Sequence, residues 1–366
     1  MTLHRMRNLF CNGAWLLTSL SALAQRATIA PIHTSTNASF RGLSVVNAHT
    51  IWVSGTGGTV GRSLDGGHSW QWQHTAACDS CDWRSIAARS DQEAFVINAG
   101  SPARLLHTTD GGITWEQQYY NDDPKAFFDC LQFDDRQYGF AVGDPIGAHF
   151  MILYTFDGGK SWQAPREGRP PAHEGDAAFA ASNSNIVFLP GHIPCFITGG
   201  TKSYFISGHQ PAMADTCLSC YLSPDKLNHP AWKGWQIKEL PLLQGQSTTG
   251  AFAIAFSANR EIGVVVGGDY AHDTIRTGNC ALTHDGGRNW EPATTTPWGY
   301  CSGVTFITTN WLVATGTSGT GMSEDGGKNW HKLNSAGFNT VKNLGDGRHA
   351  ILAGGHGKIA LLEIEE

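Results

Sequence analysis

Three sets of residues in this 366-residue chain have types and spacings that suggest chemistry. The first is two C-x-x-C pairs, Cys78-Asp-Ser-Cys81 and Cys217-Leu-Ser-Cys220. Thiol redox chemistry needs such a pair at a helix start, where the thiolate is stabilised. Neither pair has that context, so both read as structural disulfides. A zinc site built from both pairs would have to bridge the 136 positions from Cys81 to Cys217, far outside compact ribbon spacing. The second set is glycine loops, Gly55–Gly61 and Gly354–Lys358. The first does not precede a helix, and the second lacks the Ser or Thr that follows Lys in a phosphate loop. Both read as turns, and no nicotinamide or flavin fingerprint is present. His107, His149, His173, His192 and His209 are scattered without ligand-like spacing. The expectation is therefore no cofactor and no metal.

The third set is charged. Arg41, Arg84 and Asp129 each follow an aromatic residue (Phe40, Trp83, Phe128), and Asp176 is their counterpart in a fourth unit. Tyr300-Cys301 and Phe338-Asn339 continue the aromatic-then-polar series, while Asp144 and Asp269-Tyr270 sit at the ends of neighbouring strand-like runs. Opposed charges gathered in one concave mouth would bind a ligand. The same charges would also serve as ion pairs holding neighbouring structural units together, which is the more common use of such networks.

What must position them is a repeat. Five segments follow [ST]-x-D-G-G-x-x-W, with Asp65 and Trp70, Asp110 and Trp115, Asp157 and Trp162, Asp285 and Trp290, and Asp325 and Trp330 at the fixed places. The Asp side chain shapes a turn by accepting from amides ahead of it. The glycines take backbone angles that other residues resist, and the Trp covers the turn with a large apolar face. This is the Asp-box, expected to be structural, and a worn copy is read at Ser223-Pro-Asp225. The Asp residues are spaced by 45, 47 and 40 positions, with a gap of 128 between Asp157 and Asp285. Short strand-like runs precede each box, such as Leu43–Asn47, Thr50–Ser54 and Val60–Leu64. Four strands per period of this length define a propeller blade.

The expected fold is all-β, a seven-bladed β-propeller with Asp-box turns. Blades are expected near 40–74, 83–118, 127–164, 176–240, 250–293, 300–334 and 337–366, with the last borrowing a strand from residues 26–38 to close the ring. Residues 1–24 read as a signal peptide: a basic start, a short apolar run and Ala22-Leu-Ala24 before Gln25. That implies export, to the periplasm or beyond. Without them the chain carries 23 basic and 31 acidic residues, a net charge of −8, which argues against a phosphate-backbone partner. No further run is long enough to span a bilayer. Outside the leader there are eight cysteines, an even number that favours disulfides in an exported protein.

With the boxes, the segments Phe40-Arg-Gly-Leu-Ser-Val-Val, Asp123-Pro-Lys-Ala-Phe-Phe-Asp129, Gly143-Asp-Pro145, Ala177-Ala-Phe-Ala-Ala-Ser and Val266-Gly-Gly-Asp-Tyr270 resemble the bacterial relatives of the photosystem II stability and assembly factor. That resemblance, with the lack of a cofactor motif and a rigid ring offering one concave face, favours a non-catalytic scaffold, expected to be a monomer, that holds a protein partner, such as an envelope or membrane protein during assembly, at the mouth where strand register gathers Arg41, Arg84, Asp129, Asp144, Asp176 and Asp269. The alternative is a sialidase-type glycoside hydrolase, a group that also carries Asp-boxes. Phe40-Arg41-Gly-Leu partly echoes its Phe/Tyr-Arg-Ile-Pro motif, although the Ile-Pro is missing. Arg41 and Arg84 would supply two of its three arginines, with Tyr270 or Tyr300 as nucleophile.

Overall fold

The computed structural model describes residues 27–209 and 234–365. Among them there is no helix, and the strands form seven blades around one axis. The first strands of the blades are Phe40–Val45, Ser85–Ala88, Phe128–Phe133, Ile186–Leu189, Thr249–Phe256, Gly303–Phe306 and Thr340–Asn343. Each packs on the next around the ring, and Thr340–Asn343 packs back on Phe40–Val45. Strand Ala27–Ile32 pairs antiparallel with Ile359–Ile364, so the amino-terminal strand completes the last blade and ties the two ends together. The closure leaves no unpaired edge at the seam.

The core lies between blades. Phe40, Leu43, Ile51 and Val53 of blade one bury against Ile351, Ala353 and Ile359 of blade seven. Val264 and Leu282 of blade five meet Val304 and Leu312 of blade six in the same way. The pattern follows from fully buried strands such as Ile51–Gly55 and Gly263–Asp269, whose two faces both meet apolar neighbours.

The boxes are hydrogen-bonded staples. In the first, the Ser63 hydroxyl donates to Asp65 Oδ1 at 2.8 Å and accepts from the Gly67 amide at 2.8 Å. Asp65 Oδ1 accepts from the Ser69 amide at 2.8 Å, and Trp70 Nε1 donates to the Gly67 carbonyl at 2.9 Å. The other four repeat the Ser/Thr and Asp bonds. Trp162 alone leaves its Nε1 without a partner. The second glycine of a box also sets blade spacing. A Cβ on Gly159 would lie 2.5 Å from the ring of Phe95 in the preceding blade, and its φ of 83° already disfavours a side chain.

Blade four departs from the expected plan. Its sheet is Ile186–Leu189, Ile193–Ile197, Tyr204–Gly208 and Trp235–Glu239. Asp176–Ala177, expected to open that blade, pairs instead with Gly199–Gly200, and Gly199 joins Gly250 of blade five. The reason is compositional: Ala178–Asn185 has no alternating apolar pattern to drive strand pairing, and its side chains and carbonyls are spent elsewhere. The worn box at Ser223–Asp225, together with Cys217, Cys220 and the leader, lies outside the described residues.

Cysteine pairing also needs correction. Cys78 and Cys81 form a disulfide, but Cys130, Cys195, Cys280 and Cys301 are buried free thiols. These four are packed as small apolar side chains inside the interblade clusters.

Candidate functional site

Ala178–Asn185 enters the central channel and plugs it. Residues 182–185 are bonded to all seven blades. The Asn183 amide donates to the Arg41 carbonyl (3.1 Å) of blade one. Asn183 Oδ1 accepts from the Ile86 amide (3.0 Å) and Nδ2 donates to the Ile86 carbonyl (2.9 Å) of blade two. Gln132 of blade three and Lys342 of blade seven both donate to the Asn183 carbonyl, at 2.9 and 3.0 Å. The Ile197 amide of blade four donates to the Asn185 carbonyl (3.2 Å), and the Ile254 amide of blade five donates to the Ser184 carbonyl (2.8 Å). The Ser182 hydroxyl donates to the Ser302 carbonyl of blade six. A segment with little apolar surface thus pairs much of its buried backbone and the Asn183 side chain with the surrounding blades, although Ser184 Oγ and Asn185 Oδ1 stay without a partner.

Above this plug, on the face opposite the boxes, is a cleft of about 480 Å³. Four of the six charged residues singled out from sequence line it: Arg41, Arg84, Asp129 and Asp144. Each sits at the start of a first strand or the end of a second, and the ring of blades brings those points together. Arg41 Nη1 donates to the Ala181 carbonyl at 3.1 Å, so the arginine reads the plug's backbone. Burial, then the charge of Arg84, lower its proton affinity. Arg84 Nε pairs with Asp82 Oδ2 at 2.6 Å, and its Nη1 reaches the Ala180 carbonyl at 3.5 Å.

The acidic pair is less compensated. Asp129 is 2% exposed, and neither of its oxygens has a hydrogen-bond partner. The nearby Ala180 amide favours its carboxylate form. Burial first, and the Asp144 charge second, push Asp129 well above the ordinary carboxylate range, with Arg84 opposing. Asp144 is raised by burial and opposed by the Ala178 amide, which donates to its Oδ1 at 3.0 Å. An aromatic wall completes the cleft. Phe179 stacks on Phe252 at 4.2 Å, Tyr300 meets Phe252 edge-on at 4.8 Å, and Tyr270 stands 50% exposed at the rim.

Asp176 and Asp269 do not line the cleft. Asp176 Oδ2 accepts from the His173 amide at 2.9 Å. Asp269 faces His272 Nδ1 at 2.7 Å and accepts from the Ala271 amide at 2.9 Å. Against a desolvation cost, the His272, Thr248 and Ala271 bonds hold Asp269 below its ordinary range. Both carboxylates are turned onto local loops three residues away, a competition that strand register alone does not reveal. Sequence reasoning missed the plug and Phe179, although Ala177–Ser182 stood out as a segment. A larger groove of about 830 Å³ on the box face is lined by the box of blade five, Asp285–Asn289, and gathers no comparable set of buried charges.

Fold and cleft together define a plugged seven-bladed Asp-box propeller with one charged, aromatic-walled face. Residues 24–123 match the family described as photosynthesis system II assembly factor YCF48, and residues 153–164 match the BNR/Asp-box repeat. The resemblance read from the sequence is thereby supported. No curated protein matches the chain. Among solved structures, the chain is similar to YCF48 bound to a D1 peptide, with a TM-score of 0.62 and 16% identity over 93% of this chain and 97% of that one. YCF48 from Cyanidioschyzon merolae gives a TM-score of 0.62 and 16% identity, covering 92% and 98%. The GH74 enzyme of Niastella koreensis gives 0.58 and 12%, covering 91% of this chain and 53% of the enzyme. At these identities the structural likeness speaks to the fold alone.

Proposed function

We propose that this protein is an exported, non-catalytic scaffold that holds a segment of a protein partner in the cleft of Arg41, Arg84, Asp129 and Asp144. The observation that carries the reading is the cleft itself. It sets two guanidinium groups beside two carboxylates, under an exposed tyrosine, on a floor closed by the plug. A peptide carries both signs of charge and apolar side chains, and such a surface can hold all three. The YCF48 family match and the YCF48 structure that contains a D1 peptide support a peptide-sized partner. The Cys78–Cys81 disulfide supports an oxidising compartment. The sialidase-type alternative calls for three arginines on one carboxylate, whereas the described residues lining this cleft include two.

Fluorescence anisotropy with extended peptides from envelope proteins tests the reading, comparing the parent chain with Arg41→Ala, Arg84→Ala and Asp144→Asn. The expected result is saturable binding, weakened about tenfold or more by loss of either arginine. Thermal melts of the variants separate lost binding from lost folding. If no peptide binds and a chromogenic glycoside is turned over by the parent but not by Arg41→Ala, the scaffold reading fails and the hydrolase takes its place.

A further inference from the structure

The far end of the channel, beneath the plug, holds a second polar site. Lys342, on the first strand of blade seven, points into the channel on the box face. Its Nζ donates to the Asn183 carbonyl at 3.0 Å. An ammonium has three donors, and no carboxylate of the described residues lies within 4.0 Å of it. Two adjoining cavities of about 210 and 230 Å³ share Lys342, Asn343, Gln132 and Thr305 in their walls.

The surroundings are rich in donors. Gln132 Nε2 and Asn343 Nδ2 each spend one N–H on a carbonyl, of Asn183 and Phe306, and each amide keeps a second. Ser44 Oγ accepts from the Ala88 amide, which leaves its own hydrogen free to donate. Arg260 lies in the wall of the second cavity, and it too has no carboxylate within salt-bridge range among the described residues. The acidic residue of that wall, Asp134, is already engaged by His192 Nδ1 at 2.7 Å. A chain with an overall negative charge therefore keeps two uncompensated cations around one small opening.

Lys342 and Arg260 are half-buried, and a charge partly withdrawn from water without a counter-charge is costly, a cost that a ligand of opposite sign removes. The geometry points to a binding site for a small free carboxylate monoanion, held by Lys342 and the amides of Gln132 and Asn343, at the channel mouth opposite the charged cleft. A single deep ammonium matches one negative charge, and planar amide donors suit a planar carboxylate. The cavities share no lining residue with the partner-binding cleft, which sets this site apart from it.

The test is acetate titration of the whole chain, followed by thermal unfolding at constant ionic strength, with sodium chloride as the matched control. The expected result is a saturable rise in Tm with acetate beyond that with chloride. It is retained in Arg41→Ala and reduced about tenfold or more in apparent affinity in Lys342→Met. Chloride acting as well as acetate would overturn the assignment, as would an equal acetate effect in Lys342→Met. Should Lys342→Met not fold, Nζ-labelled lysine NMR of the parent chain decides. One lysine resonance must shift with acetate at concentrations that leave the others in place, and no such shift overturns the site.

Discussion

Asn183 and Ile86 are joined twice over: Asn183 Oδ1 accepts from the Ile86 amide at 3.0 Å, and Asn183 Nδ2 donates to the Ile86 carbonyl at 2.9 Å. One side chain therefore mimics a paired strand residue on the inner edge of blade two. Nδ2 also donates to the Leu43 carbonyl of blade one at 3.2 Å. This inner edge would otherwise expose unpaired backbone to a narrow channel. Asn has a donor and an acceptor on one planar group, which is what two adjacent strand edges require.

Replacing Asn183 with Ala is expected to destabilise the fold by about 3 kcal/mol or more, because several buried backbone groups lose their partner at once. Asn183→Asp should be at least as harmful, since it removes the Nδ2 donor and buries a charge. Urea unfolding reads both. A midpoint unchanged in either variant would mean that the plug adds little to closing the ring.

Asp129 should limit stability at neutral pH. Its folded-state proton affinity is raised by burial and by Asp144, so the folded state binds a proton more tightly than the unfolded chain does. Stability from this group is present below about pH 4 and is lost as pH climbs from there through the raised value. Asp129→Asn keeps the shape and removes the charge. It is expected to raise Tm at pH 7 and leave Tm nearly unchanged near pH 3.5, with weaker binding of a cationic partner segment. A pH series of melts on both proteins checks the sign.

The Asp-boxes titrate the other way. Asp285 is lowered to about 2, chiefly by the Asn289 amide, and Asp110 to about 2, chiefly by the Thr114 hydroxyl. In Asp65 desolvation is the largest single influence and acts upward, but the Ser69 hydroxyl and amide and the Ser63 hydroxyl together outweigh it, so that it too falls to about 2. A depressed carboxylate stabilises the fold above its unfolded value of about 3.9, and that stability drains as pH falls toward 2. These turns are solvent-exposed, so each contribution is modest. Melts between pH 5 and pH 2 should show a falling Tm, with a shallower slope in Asp285→Asn.

Thiol labelling should separate the cysteines by burial. Burial pushes Cys301 up to about 12 and drives Cys130, Cys195 and Cys280 upward as well. These four are expected to resist alkylation in the native state and react only on unfolding. Cys78 and Cys81 should label only after reduction. Peptide mass spectrometry with sequential alkylation reads each site, and rapid native labelling at Cys130 or Cys280 would contradict this packing.

Much of the fold was legible because its determinants are local. In each box the bonds run between residues two to four positions apart, as from Ser63 to Asp65 and from Asp65 to Ser69, so a short motif carries them whole. That motif, together with the strand-like runs between and after its copies, implied blades, their number and the closing role of the amino-terminal strand. The cleft was half legible. Register placed Arg41, Arg84, Asp129 and Asp144 at one mouth, but it could not show that Asp176 and Asp269 turn away onto His173 and His272.

The sequence alone determined the repeating turn, the interblade core and the ring that follows from them, since each depends on neighbours along the chain. Only the tertiary structure decided that Ala178–Asn185 becomes a hub rather than a strand, that four cysteines stay free, and that Asp129 and Lys342 lie at opposite ends of one channel without a salt-bridge partner among the described residues. Those outcomes rest on partners such as Ile86 for Asn183, 97 positions away, and Asn183 for Lys342, 159 positions away. Contacts at that range are set by closure of the ring, and no local pattern encodes them.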